Sequence, residues 1–208
     1  MVEQFDDVVL GGGKGGKSLA LALAKAGRSV ALIERGQIGG TCINVACIPT
    51  KTMVASAKLI EMASRANDFG VSLTPPPPDL TGVIARKRRV VGAMVDTHWT
   101  LFTTTPNLSF LLGEGVFTGE RTITVDLQDG STRVVRGERV YINTGSHTTV
   151  PPIPGLDTVD YLTSTSVMEL DELPKRLAII GGGYIALEFA QVFRRLGSEV
   201  VVVQRGER

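Results

Sequence analysis

The chain has 208 residues, with Lys plus Arg at 22 against Asp plus Glu at 21, a net charge of +1 and two cysteines. Such a balance gives no global reason to expect a nucleic acid or a membrane surface as partner, and so few cysteines do not make a secreted disulfide scaffold. No basic leader precedes an apolar segment and no apolar run reaches the length of a bilayer, so the sequence is read as soluble and cytoplasmic, with material for one domain and part of another.

Asp6–Leu10 is a short apolar stretch that predicts a strand. GGGKGG follows at once, then an alanine- and leucine-rich helix over Ser18–Ala26 ended by Gly27, and a second strand over Ser29–Glu34. Strand, glycine turn, helix and strand make a parallel βαβ crossover. Gly11, Gly13 and Gly16 satisfy GxGxxG, and Glu34 closes the next strand with a carboxylate that can accept from a ribose hydroxyl. Together they form a dinucleotide fingerprint, in which glycines allow backbone amides to approach a pyrophosphate. Gly11–Ser18 also satisfies the triphosphate-loop pattern GxxxxGK[ST], with Lys17 as a phosphate lysine. Glu34 favours the dinucleotide, as does the lack of an apolar run ending in Asp to hold magnesium. Lys14 and Lys17 either add positive potential near a pyrophosphate or are solvated, and the sequence leaves both open.

The stretch Gly39–Lys51, GGTCINVACIPTK, holds Cys42 and Cys47 in one glycine-led, proline-broken segment. In a regular helix, residues five apart lie roughly 140° around and roughly 7.5 Å along the axis, too far for a disulfide. The two can pair only if a helix starts between them or its first turn is distorted, and Pro49 suits a first turn. Cys47 is then beside a helix N-terminus, where unpaired amides favour a thiolate.

Thr52–Phe69 has helical spacing and ends at Gly70, and Pro75–Pro78 reads as a stiff surface loop. A long helix is expected over Asp79–Phe102. Its run Arg86, Lys87, Arg88 and Arg89 reads as a solvated face, and His98 and Trp99 as packing residues. Short strands follow at Phe110–Phe117, Thr122–Leu127 and Thr132–Val135, with a hairpin turn at Asp129 and Gly130, then a β-run at Arg139–Asn143. The proline-rich connection Val150–Gly155 suggests a domain boundary near residue 150. Beyond it the βαβ pattern restarts: strand Leu177–Ile180, helix Ile185–Leu196 ended by Gly197, and strand Glu199–Val203. Gly181, Gly183 and Ala186 give a second fingerprint, GxGxxA.

Two fingerprints flanking a C-x4-C resemble the pyridine nucleotide-disulfide oxidoreductases. The resemblance rests on GGTCINVACIPTK preceded by VALIERGQI, on INTGS, on VPPIPG and on GGGYIALEFA, in order and over essentially the whole chain. It implies an α/β fold: a Rossmann-like FAD-binding domain with an inserted antiparallel β-meander and the redox disulfide, residues 1–150, then a linker and the start of a Rossmann-like NAD(P)-binding domain, 151–208. It further implies that Gly11, Gly13 and Gly16 hold the FAD pyrophosphate and Glu34, with Arg35 beside it, the adenosine end. Gly40, Thr41 and Lys51 would contact the flavin half, Gly115 the adenine, and Thr144, Gly145 and Ser146 would close over FAD. Cys47 would be the flavin-facing thiolate and Cys42 the thiol that attacks the acceptor, with Lys51 paired to Glu188.

For the second nucleotide the resemblance implies Gly181, Gly183, Tyr184 and Ile185. Gln204 and Arg205 stand where an NADH enzyme usually has a carboxylate, which favours NADPH, with NADH possible. Hydride would pass from NADPH to the flavin, and electrons on to the Cys42–Cys47 disulfide. The acceptor would be a small molecule or a metal ion, and the full-length protein a homodimer. An interface domain with its His and Glu pair has no counterpart, since only His98 and His147 occur. The sequence is therefore read as a fragment of a longer reductase. A non-enzymatic nucleotide-binding module is the alternative, and a structural zinc at the cysteines lacks enough ligands.

Overall fold

A computed structural model describes residues 1–74 and 77–206. Pro75 and Pro76 of the expected proline loop, and the terminus at Arg208, lie outside the described residues. The chain divides into two compact units, Met1–Asn44 with Gly92–His147, and Val45–Val91 with Thr148–Arg208. The crossing at 147–148 is close to the boundary read from the prolines, whereas Val45–Val91 groups with the second unit.

In the first unit β1 (Val2–Leu10), α1 (Lys14–Lys25) and β2 (Val30–Glu34) form the crossover, with β1 and β2 parallel from Asp7↔Val30 to Leu10↔Ile33. β2 is buried at all five positions of VALIE, as an apolar strand covered on both faces must be. β3 (Leu108–Gly119) runs parallel to β2 through Leu112 and then turns antiparallel to β4 (Thr122–Leu127). β5 (Thr132–Ile142) pairs antiparallel with β4 and parallel with the whole of β1, which closes a five-stranded barrel. The expected antiparallel meander is present as β3–β4–β5, and its outer strands β3 and β5 also continue into the parallel sheet.

Glycine makes that sharing possible. A Cβ at Gly113 would lie 2.3 Å from the Asp126 carbonyl oxygen, and one at Gly137 2.6 Å from that of Arg139. Alternation along the strands then sorts the core. Val8, Ala31, Ile33, Leu111, Ile123, Val125 and Val135 form one cluster, while Val9, Val30 and Leu32 pack with Ala20 and Ala24 of α1 and with Phe102.

α1 begins at Lys14, inside the glycine run and a turn earlier than its apolar spacing suggests. Gly13 is its N-cap, and glycine is tolerated in a first turn whose amides lack intrahelical acceptors. After β2 comes the short α2 (Gly40–Asn44).

The second unit holds α3 (Cys47–Ser64), the first half of α4 (Leu80–Thr104), β6 (Arg176–Ile180), α5 (Tyr184–Leu196) and β7 (Glu199–Val203), with β6 and β7 parallel in a two-stranded sheet. Met53, Ala57, Val83, Ile84, Met168, Phe189 and Phe193 are in its core. The basic run on α4 is not a uniformly solvated face. Lys87 is 2% exposed and donates to the Met168 carbonyl (2.8 Å) and to the Glu169 carboxylate, while Arg86 donates to the Thr52 carbonyl at 2.9 Å. Burying a lysine requires such partners.

Candidate functional site

The first fingerprint is a turn clamped from three sides. Gly11 has φ +108°, and a Cβ there would sit 2.1 Å from the Asn143 carbonyl oxygen, so the position excludes any other residue. Its N–H donates to the Ile33 carbonyl at 2.8 Å, and its own carbonyl accepts from the Asn143 side-chain amide at 3.1 Å. A Cβ on Gly16 would meet the Gly11 carbonyl oxygen at 2.0 Å, and one on Gly40 would meet Gly13 Cα at 2.5 Å. The glycine loop and the start of α2 therefore cross backbone to backbone, and Gly40 brings the GGTC segment onto the fingerprint.

Glu34 lies at the C-terminal end of β2, 9% exposed. Its Oε2 accepts from Gly12 N–H at 2.8 Å, and its Oε1 from Gly36 at 3.0 Å and Gln37 at 3.1 Å. A carboxylate offers about four lone-pair sites, so a further acceptor position remains for a hydroxyl. Arg35 is exposed and 3.5 Å from the Glu114 carboxylate. Gly115 pairs with Val125 and has no room for a side chain, since its Cβ would lie 2.8 Å from Leu10 Cδ1. Thr144, Gly145 and Ser146 are exposed beyond the end of β5, and Thr41 is exposed on α2. These residues fit a dinucleotide: glycine cradles that a Cβ would fill, first-turn amides of α1 without intrahelical acceptors, and a buried carboxylate at the strand end.

Lys17 lies one turn into α1, its amide bonded to the Gly13 carbonyl, and its Nζ is 3.0 Å from His98 Nε2. His98 is correspondingly more than a packing residue, whereas Trp99 does pack, edge-on to Phe110. The sequence assigns no role to Asn143 and only a packing role to His98. INTGS signals a strand end, but nothing local marks its Asn as the clamp on a loop 132 residues away.

Cys42 is half-buried in α2 and belongs to the first unit; Cys47 is an exposed thiol at the first position of α3 and belongs to the second. A helix does begin between them, with Pro49 in its first turn. Within the second unit Lys51 donates to the Glu188 carboxylate, the pairing that the family resemblance implies.

The second fingerprint repeats the turn on β6, α5 and β7. Gly181 has φ +101°, Gly183 is the N-cap of α5, and the Gly182 N–H donates to the Gln204 side-chain oxygen at 2.7 Å. Gln204 thus occupies the place that Glu34 has in the first turn, without the charge. Tyr184 is 78% exposed at the start of α5, Ile185 is exposed beside it, and Arg205 is exposed past β7. Among the described residues no group of three or more His, Cys, Asp or Glu could hold a metal ion, and no helix is long and apolar enough to cross a membrane.

Residues 5–208 match the family described as pyridine nucleotide-disulphide oxidoreductase. The chain is 41% identical over 202 residues to mercuric reductase of Streptomyces lividans, covering 97% of this chain and 43% of that protein. It is 38% identical over 206 residues to the probable pyridine nucleotide-disulfide oxidoreductase RclA of Escherichia coli, covering 98% of this chain and 43% of RclA. The solved structure of the HOCl-induced flavoprotein disulfide reductase RclA from Escherichia coli superposes with a TM-score of 0.83 at 37% identity, over 98% of this chain and 42% of that one. The chain thus spans less than half the length of these relatives, and with its paired fingerprints and its GGTCINVACIPTK segment it belongs to the pyridine nucleotide-disulphide oxidoreductase family.

Proposed function

We propose that this protein is a flavin-dependent reductase that oxidises NADPH, reduces the disulfide of Cys42 and Cys47, and through their thiols reduces a small-molecule disulfide or a metal ion. The observation that carries the reading is the backbone crossing of Gly13 and Gly40, which ties the cysteine segment to the dinucleotide loop. FAD, when bound, supplies the two-electron carrier between nicotinamide and sulfur. The chain's own residues do the rest. Glu34 accepts from the adenosine ribose, the first-turn amides of α1 take the pyrophosphate, and Asn143 keeps the loop in shape. Residues 1–150 serve FAD in this reading and 151–208 the nicotinamide nucleotide.

Reduction of the disulfide takes two electrons and yields two thiol groups, one of which attacks the acceptor. Cys47, at the start of α3, is favoured as the thiolate that stays with the flavin. Lys51, about one turn further along α3, is a cation held by Glu188. Preference for NADPH is supported by Gln204, which makes the strand-end hydrogen bond of Glu34 but leaves no negative charge to repel a 2′-phosphate, and by Arg205 beside it. A homodimer and a reducing cytoplasm complete the reading.

The test is anaerobic titration of the FAD-loaded protein with NADPH. Uptake of more than one two-electron equivalent, with a long-wavelength absorption band that Cys47→Ser removes, is expected. Flavin that bleaches after one equivalent, identically in wild type and Cys47→Ser, would show that the cysteines take no part.

A further inference from the structure

His98 is 5% exposed on α4, and its Nδ1 is 2.6 Å from the Met94 carbonyl oxygen of its own helix. A carbonyl only accepts, so Nδ1 carries the proton, and in the neutral ring Nε2 presents a lone pair. Lys17 Nζ is 3.0 Å from that nitrogen, and an ammonium only donates. The contact therefore needs a charged Lys17 and a neutral His98.

The surroundings hold the imidazole in place. Phe102 meets it edge-on at 6.1 Å, and a Cβ on Gly39 would come 3.5 Å from His98 Cδ2. Gly39 leads directly into Gly40, whose backbone crosses Gly13. Lys17 is half-buried, and among the described residues it enters none of the ion pairs. A half-buried cation whose only side-chain partner among the described residues is a neutral acceptor keeps its charge uncompensated, and an anion nearby is favoured. The first-turn amides of α1, within one turn of Lys17, offer the place for that anion.

We propose that His98 is a positioning residue that fixes the Lys17 ammonium beside the glycine loop, where its unpaired charge strengthens binding of the FAD pyrophosphate. The proposal rests on the reading of this loop as the FAD site. Substitution of either partner acts on cofactor affinity rather than on the thiols.

Titration of the purified apoprotein with FAD, followed by flavin fluorescence at low and high salt, tests it. Lys17→Met should weaken FAD binding about tenfold at low salt, with the gap narrowing as salt screens the charge. His98→Phe should cost about the same, the double variant no more than either single one. His98→Gln, whose side-chain oxygen can accept from Lys17, should recover most of the affinity. Independently of flavin, long-range proton–nitrogen spectra of the apoprotein should show His98 protonated on Nδ1, with Lys17→Met shifting mainly Nε2.

Wild-type binding that Lys17→Met leaves unchanged overturns the role of Lys17 and leaves the FAD site standing. Losses that are additive or insensitive to salt overturn the coupling. Failure of wild type to bind FAD at all removes both readings. Should His98→Phe fail to fold, Lys17→Met and His98→Gln decide the matter.

Discussion

Gly11–Gly16 and Gly181–Ala186 fold into the same turn in different settings. The leading glycines have φ of +108° and +101°, each donates its N–H at 2.8 Å to a carbonyl near the end of the next strand, Ile33 or Val203, and each second glycine donates to the side chain one residue further on, Glu34 or Gln204. Around the first turn Asn143, Gly40 and Phe102 close in; around Gly181 and Gly183 an added Cβ would meet nothing within 4 Å. The backbone turn is thus a local product of glycine and a strand-end acceptor. The packing that makes it intolerant of change comes from elsewhere in the chain.

The sharpest way to break that comparison is a pair of glycine substitutions. Gly16→Ala places a methyl against the Gly11 carbonyl and should destabilise the first unit by roughly 3 kcal/mol and abolish FAD binding, whereas Gly183→Ala, at an ordinary φ of −71° and in open space, should shift the thermal midpoint little. Equal effects would mean that the two surroundings do not differ as described. Next in size, Glu34→Gln turns an NH2 toward backbone donors and should weaken FAD binding by about 2 kcal/mol. Its mirror, Gln204→Glu, should move the ratio of NADH- to NADPH-driven flavin reduction toward NADH by about fivefold, read from initial rates. Asn143→Ala removes the 3.1 Å bond to the Gly11 carbonyl and should cost about 1 kcal/mol in urea unfolding.

The smallest effect belongs to the second unit and to acid. Burial pushes the Glu169 carboxyl up, but hydrogen bonds from Lys87 and Arg88 and their charges outweigh it, so it ends below the ordinary 4.5. A depressed carboxyl stabilises the fold above its unfolded value and loses that contribution as pH falls through the lowered folded value. Glu169→Gln should therefore reduce stability at neutral pH but flatten its decline below about pH 4.5, with FAD affinity unchanged.

Both fingerprints, the buried carboxylate and the helix start at Cys47 were legible because each is a local pattern: glycines at fixed spacing, a strand ending in Glu34, a proline in a first turn. The Lys51–Glu188 pair was legible only through the family resemblance, since 137 residues separate its members. The barrel was not legible, because β5 reads as two strands, Thr132–Val135 and Arg139–Asn143, when Gly137 interrupts its apolar alternation. Lys87 was misplaced on a solvated face because its partners, Met168 and Glu169, come from a connection whose sequence gives no sign of what it covers. His98 was missed for the same reason: a lone histidine on a helix shows its partner only when α1 is brought beside it.

The closure of β1 on β5 also sets an order of events during synthesis. Val2 pairs with Val134 and Leu10 with Ile142, and the Glu3–Arg133 ion pair spans 130 residues. At ribosomal rates of about 5–20 residues per second, the N-terminal strand waits on the order of ten seconds for its second neighbour. During that interval one edge of β1 lacks its partner, while the β3–β4–β5 hairpins have yet to emerge and can form from local pairings once they do. The barrel's last strand, β5, thus completes the first strand's pairing, and just beyond it Asn143 also finishes the loop against Gly11. If this loop is the FAD site proposed above, capture of the cofactor by the nascent chain waits on the arrival of residue 143.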